Sequence, residues 1–239
     1  MELDIFLENK SFNVKHIKNL CKFKDNEESN PICKKRLCPL KRGFDIIFSL
    51  SVLVFLSPVF LFIALCIKIN SPDGPIFYPH ERIGLKGKKF NCWKFRTMIP
   101  DADAILKNLL EDPQIRAEYE RDFKLKNDPR IVPVVGNFLR RTSLDELPQF
   151  LNSLLGDMSV VGPRPIVQEE MVKYQNTICS FLSVKPGITG LWQVSGRNDM
   201  SYNKRVELDM QYVNNNNFFI DLGIILKTIK IMLLKNGAY

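Results

Sequence analysis

The sequence predicts an α+β protein that is mostly helical and has one membrane-embedded segment. An uncharged apolar run extends from Ile46 to Ile67. After it, two aromatic runs flank a Gly/Lys turn, which is typical of a small β-hairpin, and apolar residues then recur at helical spacing. We therefore predict a polar N-terminal extension over 1–40, a membrane-embedded helix over 41–70 and a cytosolic domain over 71–239.

The charge balance limits the classes of partner. The chain has 239 residues, of which 34 are Lys or Arg and 26 are Asp or Glu, so its net charge is +8. This balance leaves phosphate-bearing ligands and anionic membrane surfaces open as partners. Nucleic acid is not expected, because the basic residues bracket the apolar run instead of forming a separate module. The acidic start predicts no secretory signal, and residues 1–40 contain too few apolar residues for a membrane span.

The six cysteines are too few for a disulfide scaffold in a chain of this length. A metal site formed by His16, Cys21, Cys33 and Cys38 is disfavoured, because their spacing matches no common zinc pattern. We therefore expect the cysteines to be reduced thiols.

The apolar run is long enough to cross a bilayer core of about 30 Å as a helix. Pro58 lies near its middle and removes one helical hydrogen bond, so a kink or break is expected at Ser57-Pro58, where the serine hydroxyl can bond the freed carbonyl. Basic residues flank the run on both sides, and positive flanks tend to stay in the cytoplasm. A re-entrant helix that enters and leaves by one face fits both facts. A kinked spanning helix is the alternative.

The elements that follow the apolar run can be placed by their spacing. The hairpin is expected within 71–97, with the sequence GLKGKK as its turn. The two prolines of GPRP, at 162–165, predict a rigid loop. Helical spacing predicts helices over four further segments, 101–126, 137–156, 166–182 and 199–213.

The last predicted helix, 218–235, is amphipathic and cationic. At 100° per residue, one face carries the apolar residues Leu222, Ile225, Leu226, Ile229, Met232 and Leu233. The other face carries Asp221, Lys227, Lys230 and Lys235. Periodicity alone fits a core-facing helix equally well. The membrane segment elsewhere in the chain favours an amphipathic helix at the membrane interface.

The first candidate for chemistry is the adjacent acid pair Asp145 and Glu146 in RRTSLDELPQ. Ser143 and Glu146 have the spacing of a capping box, which offers a purely structural explanation. A capping box does not explain Arg140 and Arg141 beside them. Guanidinium groups and a helix N-terminus should hold a carboxylate ionised. An ionised carboxylate can act as a nucleophile on phosphorus, while its neighbour holds Mg²⁺.

A second candidate group consists of cations beside Gly, Pro or aromatic residues, namely Arg82, Lys94, Arg96, Arg164 and Arg197. Arg makes planar bidentate contacts with phosphate, and rigid turns hold it in place. A third candidate, Asp101 with Asp103, has the pattern of a metal-holding pair, but capping of a helix N-terminus explains it more simply. The sequence shows no hydrolase triad, P-loop or dinucleotide-binding fingerprint.

The order of these motifs resembles the bacterial sugar transferase family, the monotopic polyprenyl-phosphate phosphoglycosyl transferases. The matching motifs run from residue 41 to the end of the sequence: KRGFD, the Ser57-Pro58 break, ERIG, WKFRTM, RRTSLDELPQ, MSVVGPRP, KPGITGLWQVSGR, ELDMQYV and GAY. The multi-span N-terminal region that larger members carry is not expected in this chain.

The resemblance implies a reaction in which a sugar-1-phosphate moves from a UDP-sugar to a polyprenyl phosphate, such as undecaprenyl phosphate, with release of UMP. It implies a covalent phosphosugar on Asp145 and a magnesium ion held by Glu146. The ending of the chain resembles members that use UDP-galactose or UDP-glucose. By resemblance, the phosphate-binding cations are Lys94, Arg140 and Arg164, and the supporting acids are Asp209 and Asp221.

The resemblance also implies a place in the cell. It puts the protein at the bacterial inner membrane, with the catalytic domain on the cytoplasmic face, at the start of a membrane-linked glycan such as capsule, exopolysaccharide or O-antigen. It supports the re-entrant interpretation of Ser57-Pro58 and leaves a homodimer open. Two other hypotheses compete with it. One is a single-step glycosyltransferase that uses Asp101 and Asp103 and releases UDP, and the other is a non-catalytic membrane scaffold.

Overall fold

The computed structural model describes Cys21 and residues 39–122, 125–196 and 200–234. The rest of the predicted extension, with His16, Cys33 and Cys38, lies outside the described residues, as do Arg197 and the closing GAY.

The described elements form a mostly helical fold with two small two-stranded sheets, which confirms the predicted α+β class. The α-helices are α1 (Pro39–Phe55), α2 (Ser57–Asn70), α3 (Ala102–Leu109), α4 (Pro113–Asp122), α5 (Val135–Thr142), α6 (Gln149–Leu155), α7 (Ile178–Phe181), α8 (Tyr202–Asn215) and α9 (Phe218–Leu233). The strands are β1 (Phe77–Ile83), β2 (Lys89–Phe95), β3 (Ser159–Val161) and β4 (Gly187–Thr189).

The predicted break in the apolar run separates α1 from α2, whose axes differ by 60°. Pro58 has no N–H for the carbonyl of Val54, and the hydroxyl of Ser57 donates to that carbonyl at 2.8 Å. Phe55, beside the bend, is 81% exposed. Among the described residues, this bent pair is long and apolar enough to cross a membrane, whereas no helix alone is.

The predicted hairpin is confirmed by the antiparallel pairing of β1 and β2. Lys86 in the connection has a φ of 55°, and Gly87 has a φ of 71°. Residues directly opposite each other share a face of the ribbon. Tyr78, His80 and Arg82 therefore lie on one face with their partners Lys94, Cys92 and Phe90.

The segment predicted as one helix over 101–126 forms two helices, α3 and α4. The break precedes Pro113, which begins α4, and the carboxylate of Asp112 accepts from the backbone N–H of Gln114 at 2.7 Å. Asp101 precedes α3 in a left-handed conformation with a φ of 59°, and its side chain makes no capping bond. The expectation that Asp101 caps this helix is therefore wrong.

The segment predicted as one helix over 137–156 is interrupted between α5 and α6. Ser143 ends α5 with a φ of 57°, and a 3₁₀ turn, Leu144–Glu146, follows it. The hydroxyl of Ser143 makes no capping bond. The capping-box expectation is therefore wrong, because Ser143 has left-handed backbone and its hydroxyl does not cap the 3₁₀ turn that follows.

The parallel pair β3 and β4 was not predicted from the sequence, because each strand is too short to show a pattern. The backbones meet closely through two glycines. A Cβ atom on Gly187 would lie 2.0 Å from the backbone nitrogen of Gly162. Between the two strands, the segment predicted as helix over 166–182 forms a 3₁₀ stretch, Gln168–Thr177, followed by α7.

The predicted C-terminal helices are confirmed as α8 and α9, but the faces of α9 differ from the prediction. Ile224 and Ile225 are buried, and Asp221, expected on the polar face, is buried as well. The remaining apolar stripe of α9 is exposed and consists of Leu222, Leu226, Ile229 and Met232. Helix α9 thus packs on the core with one apolar face and exposes a second apolar face.

The start of α1 is tied to the rest of the fold by three polar side chains. Lys41 forms an ion pair with Asp221. Arg42 donates to the carbonyls of Ser153 and Leu154 at the end of α6, at 2.6 and 2.8 Å. The buried carboxylate of Asp45 accepts from β3, through the hydroxyl of Ser159 and the backbone N–H of Val160, each at 2.9 Å.

Cys21 and Cys179 form a disulfide, with Cα atoms 5.4 Å apart. The expectation of reduced thiols is therefore wrong for this pair, whose members are 158 positions apart in the chain. Such a separation carries no spacing signal. Cys66 and Cys92 are free thiols.

Candidate functional site

Asp145 and Glu146 lie next to each other in the 3₁₀ turn between α5 and α6. Asp145 is 8% exposed. The turn packs against β2, and Leu147, just after it, joins an apolar cluster with Ile63 and Ile67 of α2. The turn is therefore held between the hairpin and the second half of the bent helix pair.

Glu146 is the anion at the centre of a cation cluster. Its Oε1 atom lies 2.7 Å from Nζ of Lys94 and 3.5 Å from Nη1 of Arg164. Burial alone would raise the pKa of Glu146, but the charges of Lys94 and Arg164 outweigh burial and lower it to about 2. The cluster thus keeps Glu146 ionised.

Asp145 has the opposite balance. Burial raises its pKa to about 6, against the opposing charges of Lys94, Arg140 and Arg164. The carboxylate of Glu146 also raises it. Burial thus works against the guanidinium groups, which were expected to hold Asp145 ionised. A carboxylate with a raised pKa is more basic than an ordinary one.

A small cleft opens beside Glu146, and Asp145 is not among its lining residues. It is lined by residues of the hairpin, of the 3₁₀ turn and of the GPRP loop, including Arg82, Cys92, Lys94, Glu146, Arg164 and Pro165. Elements remote in sequence thus bring three cations and one carboxylate to a single opening.

Arg82 is one of the predicted cations, and it holds the GPRP loop in place. Its Nη1 atom donates to the carbonyl of Pro165 at 3.2 Å and lies 3.5 Å from the carboxylate of Glu170. That carboxylate also accepts from the backbone N–H of Val167 at 2.9 Å. The position of Arg164 in the cleft therefore depends on Arg82.

The other predicted cations have different surroundings. Arg140 donates from Nε to the hydroxyl of Thr97 at 2.9 Å, and its charge acts on Asp145. Arg96 is buried away from the cluster and donates to the carbonyls of Asp73, at 2.7 Å, and Ser71. It braces the turn that follows α2. Arg197 lies outside the described residues.

The two acids matched by resemblance, Asp209 and Asp221, are both buried outside the cleft. Asp209 accepts from the hydroxyl of Tyr174 at 2.8 Å, and burial raises its pKa to about 7. Asp221 pairs with Lys41 and accepts from the hydroxyl of Tyr212 at 2.6 Å. Both acids join separate elements of the fold.

His80 was not among the predicted site residues, although its position was predictable. It lies between Tyr78 and Arg82 on the cleft face of β1, and the alternation of side chains along a strand is the signal that marks such a residue.

The carboxylate oxygens of the site suit a magnesium ion better than a structural metal held by several protein side chains. Mg²⁺ is usually bound by one or two carboxylates together with substrate phosphates and water. Glu146, the predicted ligand, supplies one carboxylate, and both of its ion pairs use Oε1, not Oε2. In the described part of the chain, no group of three or more His, Cys, Asp or Glu residues is placed to hold a metal.

Comparison with known proteins gives relatives along most of the chain. A sequence profile described as bacterial sugar transferase matches residues 36–235. The chain is 50% identical over 211 residues to an undecaprenyl-phosphate galactose phosphotransferase of Salmonella typhimurium. This alignment covers 88% of the present chain and 44% of the Salmonella protein. The chain is 48% identical over 200 residues to the exopolysaccharide production protein ExoY of Rhizobium meliloti, covering 83% and 88%.

A third relative is the UDP-glucose:undecaprenyl-phosphate glucose-1-phosphate transferase of Escherichia coli, 38% identical over 208 residues, or 84% of this chain and 41% of that protein. The chain therefore spans less than half the length of the Salmonella and Escherichia relatives. Because the matched profile extends from before α1 to the end of α9 and includes the acid pair and its cations, the chain belongs to the bacterial sugar transferase family.

Proposed function

We propose that this chain is a phosphoglycosyl transferase that moves a hexose-1-phosphate from a UDP-sugar to a polyprenyl phosphate through a covalent intermediate on Asp145. The observation that carries the proposal is the pair of adjacent carboxylates with opposite surroundings. Glu146 is ion-paired with Lys94 and Arg164, whereas Asp145 is buried beside the cations and is the more basic acid. A basic, oriented carboxylate suits attack on phosphorus.

In the first step, an oxygen of Asp145 forms a bond to the sugar-bearing phosphorus of the donor. The bond from that phosphorus to the bridging oxygen breaks, and UMP leaves with the electron pair. Lys94, Arg140 and Arg164 surround the reacting acid and neutralise charge on the phosphate oxygens. Positioning and charge neutralisation are the main contributions that a protein makes to phosphoryl transfer.

In the second step, a phosphate oxygen of the polyprenyl phosphate attacks the same phosphorus. The bond to Asp145 breaks, which regenerates the carboxylate and yields a polyprenyl diphosphate sugar. Because UMP has left, the bulky lipid and the bulky nucleotide need not occupy the cleft together.

Glu146 would hold a magnesium ion, because its carboxylate fits the preference of Mg²⁺ for oxygen ligands and both of its ion pairs use Oε1. Bound there, Mg²⁺ would neutralise negative charge on the donor's phosphates.

We also propose that α1 and α2 form a re-entrant element in the cytoplasmic leaflet of the inner membrane. The exposed apolar side chains around the bend and along α9 support this proposal. The test is labelling of Leu40→Cys and Asn70→Cys chains in intact cells with a membrane-impermeant maleimide, with the unmodified chain as background. We expect both positions to react only after permeabilisation. Labelling of either position from outside would contradict the re-entrant arrangement.

The central experiment measures UMP release from UDP-galactose in the presence of polyprenyl phosphate and Mg²⁺. We expect Asp145→Asn to abolish release and a phosphosugar adduct on Asp145 to be found by mass spectrometry of the unmodified chain. A chain with both Asp101→Asn and Asp103→Asn is the matched control, since both side chains are exposed acids, and we expect it to keep its activity. Normal release by Asp145→Asn would defeat the proposal, as would UDP as the product.

The choice of sugar is the finer part of the proposal. The Salmonella relative is described as a galactose phosphotransferase and the Escherichia relative as a glucose-1-phosphate transferase. We propose one of these two hexoses as the cargo. A panel of UDP-sugars with UMP release as the readout tests this choice, and a preference for a non-hexose donor would contradict it.

A further inference from the structure

His80 lies on the cleft face of the hairpin but has no part in the mechanism above. Its strand partner is Cys92, which lines the cleft, and its neighbours along the same face are Tyr78 and Arg82. Its ring is half-buried. Tyr78 is in turn directly opposite Lys94, the cation paired with Glu146. His80 therefore sits between the acid pair's cation and the arginine that braces the GPRP loop.

The contact with Arg82 determines which ring nitrogen of His80 carries the proton. Nδ1 of His80 lies 3.3 Å from Nη2 of Arg82. A guanidinium has only donors, so the ring nitrogen that faces it must be the acceptor. The proton of a neutral ring then lies on Nε2. Burial, together with the charges of Arg82, Lys94 and Arg164, lowers the pKa of His80 to about 3, so the ring is neutral at physiological pH.

Nε2–H is a donor with no described protein partner. Within the described ranges of the chain, the contacts of the His80 side chain are with Arg82, through Nδ1, and with the ring of Tyr78, at a centroid distance of 5.9 Å. A half-buried N–H beside a cationic cleft is placed to meet an anionic oxygen.

We propose that His80 binds the nucleotide-side phosphate of the donor, with Nε2–H donating to a phosphate oxygen and Nδ1 accepting from Arg82. The inference rests on the proposed function, because it takes a nucleoside diphosphate sugar as the ligand. The charges of Lys94 and Arg164 act on both acids, whereas that of Arg140 acts on Asp145 and that of Arg82 on Glu146. The phosphate next to Asp145 is the one transferred, so the phosphate near His80 and Arg82 is the one that leaves with uridine.

A neutral donor has a physical advantage at this position. Three cations already line the cleft, and a fourth positive charge would strengthen binding of the departing UMP as much as that of the donor. A neutral N–H contributes direction without adding net charge. His80 would thus orient the leaving phosphate while limiting retention of the product.

The test uses equilibrium binding of UMP, which the protein does not turn over, to the full chain in nanodiscs. In His80→Asn the side-chain amide takes the place of Nδ1, so the contact with Arg82 is kept and the outer donor is lost. In His80→Gln the amide reaches the place of Nε2, so the outer donor is kept. We expect His80→Asn to raise the Kd for UMP roughly tenfold, the usual effect of losing a hydrogen bond to a charged group. We expect His80→Gln to stay within about threefold.

If His80→Asn bound UMP as tightly as the unmodified chain and His80→Gln bound it more weakly, the proposal would be overturned. His80 would then only support Arg82. Equal binding by both variants and the unmodified chain would also overturn the proposal, while leaving the proposed function intact. Absence of UMP binding by the unmodified chain would instead defeat the proposed function and this inference together.

Glu81→Gln is the matched control, since Glu81 is the next residue, lies on the opposite face and has a side chain 61% exposed. We expect it to bind UMP normally. Thermal unfolding of each variant confirms that the hairpin is folded, because a misfolded chain would lose the transition.

Discussion

At the scale of single residues, the chemistry of the cleft depends on which acid has a cation at hydrogen-bond distance. Lys94 lies 2.7 Å from Glu146 and also acts on Asp145 through its charge. One lysine thus affects both members of the acid pair.

Lys94→Gln should therefore lower the rate of UMP release by roughly 100-fold, an effect typical of removing one charge-stabilising group from a phosphoryl or acyl transfer site. Lys89→Gln is the matched control, because Lys89 lies on the same strand, is largely exposed and pairs only with Glu81 among the described residues. Single-turnover measurement of UMP formation separates this effect from lipid binding. A Lys94→Gln chain that releases UMP as fast as the Lys89→Gln chain would contradict the assignment.

Asp209 provides a pH-dependent test of stability outside the cleft. Its pKa in the folded protein is about 7, above the ordinary 3.8, because the side chain is buried. A raised carboxyl pKa favours folding at low pH, and that contribution is lost as the pH rises towards and through 7. Asp209→Asn keeps an acceptor for Tyr174 but never ionises.

At pH 8 we expect Asp209→Asn to be more stable than the unmodified chain by roughly 4 kcal/mol, which raises its unfolding temperature. At pH 5 the gain should be clearly smaller, about 1–2 kcal/mol, because only part of the interval between the two pKa values has been crossed. Calorimetry or circular dichroism at both pH values measures the difference. A gain of the same size at both pH values would show that ionisation of Asp209 is not the cause.

At the scale of elements, the short parallel pair of β3 and β4 sets the path of the GPRP loop. The contact depends on two glycines, since a Cβ atom on Gly187 would come within 2.0 Å of Gly162. Gly162 begins the loop that carries Arg164. The close approach of two backbones therefore helps to position a cation of the cleft.

Gly187→Ala should destabilise the protein by several kcal/mol, since the clash is with backbone atoms that cannot move aside. Gly223→Ala is the matched control. A Cβ atom there meets nothing within 4 Å, and Ala favours the middle of a helix over Gly by about 0.5–1 kcal/mol. Urea unfolding measures both variants. Equal stability of the two would mean that the glycine contact is not needed.

At the scale of the whole molecule, the exposed apolar residues concentrate on the bent pair α1–α2 and on α9. Lys41 at the start of α1 pairs with Asp221 at the start of α9, so these elements are joined. Phe219, next to that junction, is 82% exposed. An exposed apolar surface of this kind supports the membrane contact proposed above.

Phe219→Asp should weaken binding to anionic vesicles by roughly tenfold. This is the value expected for losing one aromatic side chain that is buried in the membrane when the protein binds. Val172→Asp is the control, as Val172 is a 40% exposed apolar residue in the 3₁₀ stretch, outside α1, α2 and α9. Vesicle co-sedimentation measures both. Equal loss of binding in the two variants would indicate a general effect of charge instead of contact by α9.

The sequence by itself determined the features that depend on neighbours along the chain. The bend at Ser57-Pro58 follows from a missing N–H, and the hairpin follows from aromatic alternation around a Gly/Lys turn. The adjacency of Asp145 and Glu146 also needs no fold. These are local properties, and the residue types that cause them are adjacent in the chain.

Only the tertiary structure decided which cations serve the acid pair and in which direction each acid titrates. Arg82 and Arg96 occur in similar sequence surroundings, yet one lines the cleft and the other braces a turn. Likewise, a capping box was expected at Ser143, but this residue has left-handed backbone and its hydroxyl makes no capping bond. The physical reason is that burial and charge act through space, so the pKa of Asp145 is set by groups that are remote along the chain and adjacent only after folding.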